Sequence, residues 1–323
     1  MAAGSDARVG LAVETTYGTR VAPSRFLPLT AENNGFEVNR YESPAIGIGR
    51  WAKPSIVTTK SGTGSMSGDV PTTGFGYLLQ GLHGNTVTPV QQATTTAYLQ
   101  THTLDTGPSK SFSIQVQTPP VTSSTLIPHD LLGVMFGGIT FSWSPGGVLS
   151  YEIPTVIREL LLNQTLATYT APAAYSLLPF SGGTLTIAGV AETNVIGDGS
   201  IEIGYGLRDD AFALGTSGLM AKPVETDKPT ARGEFTADFN DNTNISRTLD
   251  NVTADVVLKF QHPTVIASTY YPYVEITLPS CVFTSGRPTV DGPGPLSQGV
   301  TFTAASSTNQ PPVIRVMSTD TTL

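Results

Sequence analysis

The sequence predicts a mostly β protein made of two tandem β-sandwich or barrel repeats, each with a long hairpin and a short flanking α-helix. The first observation behind this is an internal repeat. Ala52-Lys53-Pro54 leading into Ser65 to Val70 recurs, 169 residues on and without a gap, as Ala221-Lys222-Pro223 leading into Glu234 to Phe239. Gly64 and Asp69 fall on Gly233 and Asp238 in the same alignment. The second is alternation inside the repeat. Met66, Gly68 and Val70 match Phe235, Ala237 and Phe239, while Ser65, Ser67 and Asp69 match Glu234, Thr236 and Asp238. Small or apolar residues thus alternate with polar ones, the period of a strand with one dry and one wet face. The third is composition: only 13% of residues are charged, and there are 33 Gly and 24 Pro, the profile of a chain rich in strands and turns.

Composition also narrows the function. A chain of 323 residues is long enough for two domains with their own cores, and duplication makes two the expected count. A net charge of −8 argues against a sequence-reading nucleic-acid binder, which needs clustered Lys and Arg on phosphates, though it does not exclude a wall past which DNA slides. Scarce Lys on a strand-rich surface points to edges covered by partners. Cys281 is the one cysteine, so an intrachain disulfide and a cysteine metal cage are both ruled out. Met1 to Gly18 lacks the apolar core of a signal peptide, and the apolar run near Leu131 to Ile139 is too short for a membrane span. The expectation is synthesis in the cytosol, with the Asn-x-Ser/Thr triplets at Asn163, Asn244 and Asn251 present by chance.

Taken in order, residues 1–30 read as an N-terminal arm, with a turn at Tyr17-Gly18-Thr19 and a short anchored strand at Phe26-Leu27-Pro28-Leu29. The first repeat, 31–163, opens with the alternating Phe36-Glu37-Val38-Asn39-Arg40, echoed 165 residues on by Ile201-Glu202-Ile203-Gly204-Tyr205. With the strand at Ser65 to Val70, and its copy, each makes one long hairpin. Phe75, Leu78, Leu79 and Leu82 then change the period to i, i+3, i+4, i+7, a short helix with Thr72 or Thr73 as cap and Gly84 as stop. Asp241 to Val252 stands at the same place in the second repeat, where Ile245 and Leu249 keep part of that stripe. Phe112 to Pro119 matches Val256 to Pro263, Phe136 to Ser142 matches Leu278 to Thr284, and the closing strands are Val148 to Pro154 and Gly299 to Thr303. Residues 164–181, with Pro172 and Pro179, read as a connector, 182–303 as the second repeat, and the Thr- and Ser-rich 304–323 as a tail ordered by neighbours.

Motifs that imitate chemistry have plainer readings. Leu104-Asp105-Thr106-Gly107 has the form of an aspartic-protease loop, but that dyad needs a second Asp-Thr-Gly, which neither half contains. It reads as a turn. Gly47-Ile48-Gly49-Arg50-Trp51-Ala52 imitates a dinucleotide loop without the preceding buried strand or following helix. His83, His102, His129 and His262 have no metal-ligand spacing and read as surface or turn residues. Gly62-Thr63-Gly64-Ser65 lies within a strand rather than at a nucleophile elbow. The expectation is therefore no catalytic residue, no metal and no cofactor.

Three features together resemble the tail tube proteins of long-tailed, siphovirus-type bacteriophages: Glu14-Thr15-Thr16-Tyr17-Gly18-Thr19 with Pro23 and Phe26-Leu27-Pro28, the hairpin ending in Gly68-Asp69-Val70, and the helix Gly74-Phe75-Gly76-Tyr77-Leu78-Leu79. The resemblance implies tail-tube-like sandwiches whose hairpins join those of neighbouring subunits into a closed barrel. Stacked rings of six such folds form a hollow virion tail tube that delivers DNA without reading its sequence. It also implies contact with tail terminator, distal tail and tape-measure proteins, and no membrane insertion. The alternative class is a β-sandwich binding module such as an adhesin or lectin-like virion protein, which would show an aromatic and polar pocket; the clustered Tyr270, Tyr271 and Tyr273 precede a strand and read equally as core or interface.

Two finer expectations follow. If Phe36, Val38, Ile201, Ile203, Phe235 and Phe239 face the core, the alternate residues face away, which makes Glu37, Glu202, Glu234 and Asp238 the lumen-facing candidates. Two folds per chain make a homotrimeric, pseudo-hexameric ring the favoured assembly. A homohexamer is the alternative, with one copy outside the tube and its edge protected by Lys228 and Pro229.

Overall fold

In the computed structural model the structure describes residues 3–45, 51, 54–121, 123, 125–288, 290, 292–305 and 310–323. The protein is mostly β, with its strands linked in one antiparallel network and two short α-helices among the described residues. The first half runs β1 (Arg8–Val13), β2 (Arg25–Phe26), β3 (Ala31–Glu32), β4 (Gly35–Tyr41), β5 (Ile56–Asp69), α1 (Gly76–Leu79), β6 (Val90–Gln91), β7 (Tyr98–Thr103), β8 (Phe112–Thr118), β9 (Ile127–Phe136), β10 (Gly138–Trp143), β11 (Ser150–Ile157) and β12 (Glu159–Leu162). The second runs β13 (Gly183–Ile187), β14 (Val190–Ala191), β15 (Val195–Gly204), β16 (Thr230–Asp238), α2 (Thr243–Leu249), β17 (Ala254–Gln261), β18 (Tyr273–Ser285), β19 (Ser297–Ala304) and β20 (Val313–Ser318).

The alternating stretches pair as hairpins: β4 lies antiparallel to β5 with Phe36 opposite Gly62, and β15 to β16 with Ile201 opposite Gly233. Both hairpins continue into the same order of neighbours. β5 pairs with β11 and β11 with β10; β16 pairs with β19 and β19 with the end of β18. Behind them β8 lies between β1 and β9, as β17 lies between β13 and β18. β9 leaves this back layer to pair Met135 and Phe136 with β11, so the two layers share a strand and enclose one apolar core. Phe112 of the back layer stacks on Phe136 at 4.7 Å between ring centroids, an offset aromatic contact inside that core.

The helical period places α1 as expected. Phe75, Leu78, Leu79 and Leu82 are all buried, and Phe75 meets Phe141 edge-on at 6.0 Å. The capping expectation fails, because Phe75 itself occupies the N-cap and neither Thr72 nor Thr73 caps through its side chain. In α2 the partial stripe fails too: Leu249 is exposed, and the buried helix residue is Asn244, which accepts a hydrogen bond from Arg247.

One expectation, about the C-terminal tail, is corrected, and the structure adds two connections that the sequence did not show. Within the 1–30 segment β1 pairs along its whole length with β8, and β2 pairs with β1. Residues 304–323 are not a tail that waits for neighbours: β20 pairs with β18 of the second half on one side and β7 of the first on the other. Its sequence Val313-Ile314-Arg315-Val316 buries Ile314 and Val316, an alternation short enough to be overlooked amid Ser and Thr. The two halves also join edge to edge. β10 pairs with β15 over six residues, Gly138 opposite Gly204 through Trp143 opposite Gly199. Between β12 and β13 the chain has no long regular element; it is strapped to the back layer by Gln115, whose Nε2 donates to Thr165 O and whose Oε1 accepts from Ala167 N.

Candidate assembly surface

The β10 to β15 joint merges two four-strand sets into one sheet in the order β4, β5, β11, β10, β15, β16, β19, β18. Its inner face is dry. Met66, Tyr151, Ile153, Ile139, Phe141, Ile201, Ile203, Phe235, Val300, Phe302 and Phe283 are all buried there. The opposite face follows from the register, because residues directly across a ladder point the same way. One row reads Ser67, Glu152, Thr140, Glu202, Arg232, Thr303, and the next reads Asp69, Ser150, Ser142, Ser200, Glu234, Thr301, Thr284. Glu37, opposite Ser61, and Asp238, opposite Ser297, belong to the same face.

All four acidic residues picked out in the sequence therefore share one side of one sheet. Glu37, Glu234 and Asp238 are exposed, while Glu202 is held by Arg232 across the hairpin at 2.8 Å. An exposed pair of this kind contributes about 1 kcal/mol at most, so its effect is to neutralise one carboxylate rather than to hold the hairpin together. Glu152 and Asp69 were not singled out from sequence and join the set only through the register. Most of the rest of the face is Ser, Thr and Gly, and between β10, β15, β16 and β19 it dips into an open groove of about 680 Å³ that Asp198 also lines.

One premise behind that choice is corrected. Phe36 is only half-buried and Val38 is 39% exposed, whereas their counterparts Ile201 and Ile203 are buried. Phe239 is likewise half-buried. The difference lies in what flanks each strand: β15 has β10 on its outer side, and β4 has no backbone partner there among the described residues. At the far end of the same hairpin Tyr41, Ile56 and Val57 are also exposed.

A sheet of such length, with one dry face and one small, polar, acidic face, is the geometry of a wall. A family model described as phage tail tube protein matches residues 4–304. The chain belongs to that family. A tail tube protein is a structural component of the virion tail, and the comparison with curated individual proteins gave no match.

The motif by which the chain resembles tail tube proteins has a structural task. Glu14 is buried, and its carboxylate accepts from the amides of Gly18 (2.7 Å) and Gly133 (2.9 Å) and the hydroxyls of Ser111 (2.6 Å) and Ser113 (3.0 Å). Gly18 (φ +71°) and Gly133 (φ +61°) both need the left-handed region, and the carboxylate ties these two turns together. Nearby, Asp130 is buried with Arg20 and Gln115 as donors.

Residues with imitative motifs sit elsewhere. Asp105 accepts from Asn85 Nδ2 at 2.5 Å in a turn. Most of Gly47 to Ala52 lies outside the described residues. The histidine expectation is half wrong: His129 and His262 are partly exposed, but His83 and His102 are fully buried with Nε2 of the first 3.0 Å from Nδ1 of the second. Gln100 Oε1 accepts from His102 Nε2, which leaves His102 Nδ1 free to accept from His83. Burial, with Lys110 nearby, lowers His83 to about 4; burial, then His83 and Lys110, lowers His102 to about 3. The bonds continue through Gln100 and Ser318 to Asp320, which accepts from Gly74 N, and so fasten β20 to the α1 turn. No cluster of three or more metal-ligating side chains occurs among the described residues. Tyr270, Tyr271 and Tyr273 are half-buried, and Tyr273 lies under the Lys259 ammonium at 4.3 Å.

Proposed function

We propose that this tail tube protein polymerises into stacked rings of three chains, forming a hollow tube that conducts DNA to the host cell. The observation that carries the reading is the eight-strand sheet made of two four-strand sets in the same order. If one set per fold is what a ring of six requires, three chains supply six sets and 24 strands, with threefold true and sixfold approximate symmetry. The repeats correspond to residues 31–163 and 182–303, with 164–181 as connector. The flanking strands β1 and β20 are shared out as partners of β8 and β18. Tail terminator, distal tail and tape-measure proteins would meet the ends and bore of such a tube.

In this arrangement the dry face packs outward against the back layer and the acidic face lines the channel. Glu37, Asp69, Glu152, Glu234 and Asp238 then face DNA phosphates, with Glu202 masked by Arg232. Two like charges 4 Å apart in water repel by about 1 kcal/mol, and salt screens them beyond roughly 8–10 Å. Repulsion of that size keeps DNA from adhering without blocking its passage.

Electron microscopy of the concentrated protein tests both parts. Hollow filaments with three chains per ring and both hairpins in the wall are expected. Six chains per ring, with β15 and β16 away from the channel, would overturn the stoichiometry. Discrete particles that bind carbohydrate would favour the binding-module class instead. Tubes of Glu234→Lys/Asp238→Lys should retain short duplex DNA in a salt-dependent way that wild-type tubes do not; equal retention by both would remove these carboxylates from the bore.

A further inference from the structure

Resting on the tube reading, we propose that the contact between one chain and the next reproduces the joint already built inside each chain. The end of β18 in one chain pairs antiparallel with β4 of a second copy in a single register, starting beyond Cys281: Val282 opposite Glu37, Phe283 opposite Phe36.

The internal joint supplies the template. There, Ile139 stands opposite Ile203, Thr140 opposite Glu202 and Phe141 opposite Ile201. β10 and residues 280–285 occupy equivalent places. Each begins at a residue with positive φ, Gly138 at +151° and Ser280 at +50°. Each pairs on its inner side with the closing strand, Phe141 opposite Tyr151 and Phe283 opposite Phe302, and each sends that Phe into the core. β4 and β15 are equivalent by the same kind of evidence. Both open their hairpins, and Phe36 and Ile201 both lie opposite a buried glycine, Gly62 and Gly233. Carrying the internal register across these two equivalences leaves one pairing.

The edges themselves fit. Among the described residues neither the outer edge of 282–285, beyond the Cys281 to Ala254 pair, nor that of β4 has a backbone partner, and an unpaired edge invites a strand from another chain. The proposed register puts Phe36 beside Phe283 on the dry face, covering a half-buried side chain whose counterpart Ile201 is buried. It puts Glu37 on the acidic face beside Val282, where Glu202 lies beside Thr140. A one-residue slip would reverse both placements. A partner of any other sequence would have to match this alternation; a second copy already does.

Disulfide trapping reads the register directly, since a bridge needs Cα atoms within about 7 Å, met by directly opposed residues and poorly by diagonal ones. With the native thiol removed by Cys281→Ala, tubes of Glu37→Cys/Val282→Cys should on oxidation shift from the one-chain to the three-chain band on a non-reducing gel. Asn39→Cys/Val282→Cys, two residues out of register, should stay at one chain. So should Glu37→Cys alone. Tubes in which the first variant does not link, or the offset variant links as well, overturn the register while leaving the tube standing. Dimers from Glu37→Cys alone would show like edges pairing and overturn the head-to-tail direction. Hydrogen exchange on the wild-type chain needs no substitution. Peptides covering 35–41 and 281–285 should slow together on assembly, and unchanged exchange in either refutes the pairing. Failure of the wild type to form tubes at all removes the tube reading and this inference with it.

Discussion

Glu14 offers the sharpest test of how the sheet is held. Its carboxylate accepts four hydrogen bonds, two from backbone amides at Gly18 and Gly133 and two from the hydroxyls of Ser111 and Ser113. In Glu14→Ala the hydroxyls can rotate to other acceptors, but the amides are fixed by their turns. Each buried amide left unpaired costs about 1–3 kcal/mol, so the loss should be about 3–5 kcal/mol. Glu14→Gln retains one acceptor oxygen and presents a donor where the other stood, and should cost about half as much. Urea unfolding followed by the fluorescence of Trp51 and Trp143 measures both, below the concentration at which the chain assembles. A Glu14→Ala midpoint within about 1 kcal/mol of wild type would refute the reasoning, because the amides would then have other partners.

The remaining predictions concern the buried histidines and the joint. His83 and His102 titrate below their ordinary value of 6.5, so the fold favours their neutral rings; their contribution is complete above pH 6.5 and is lost as pH falls toward about 4. The wild-type urea midpoint should fall between pH 7 and pH 4.5, and a His83→Phe/His102→Leu variant should fall less over the same window. Gly199→Ala should destabilise by about 1–3 kcal/mol in the same assay, since its Cβ would stand 2.1 Å from Trp143 Cζ2 and 2.8 Å from Glu234 O. Gly299→Ala on the polar face meets nothing within 4 Å and should stay within about 0.5 kcal/mol.

Local alternation by itself determined which residues of most strands are dry. Met66 and Gly68, Ile201 and Ile203, and Phe235 and Ala237 are buried as their period requires, and the helical stripe at Phe75, Leu78, Leu79 and Leu82 is buried on the same logic. That period is a property of the backbone, readable within about ten residues. It placed Glu37, Glu202, Glu234 and Asp238 opposite the apolar set before any partner strand was known. What a strand pairs with is a different quantity, set by contacts between residues far apart in the chain. So the tertiary structure alone decided that β10 seeks β15, that β20 closes onto both halves, and that Glu152 and Asp69 join the acidic face. The same reason explains two of the misread places. Val38 has the pattern of a buried strand residue but lies on an edge with no backbone partner among the described residues, and His83 and His102 lie 19 residues apart in sequence yet share one hydrogen bond in the core. Burial depends on neighbours as much as on period, and only the folded sheet supplies the neighbours.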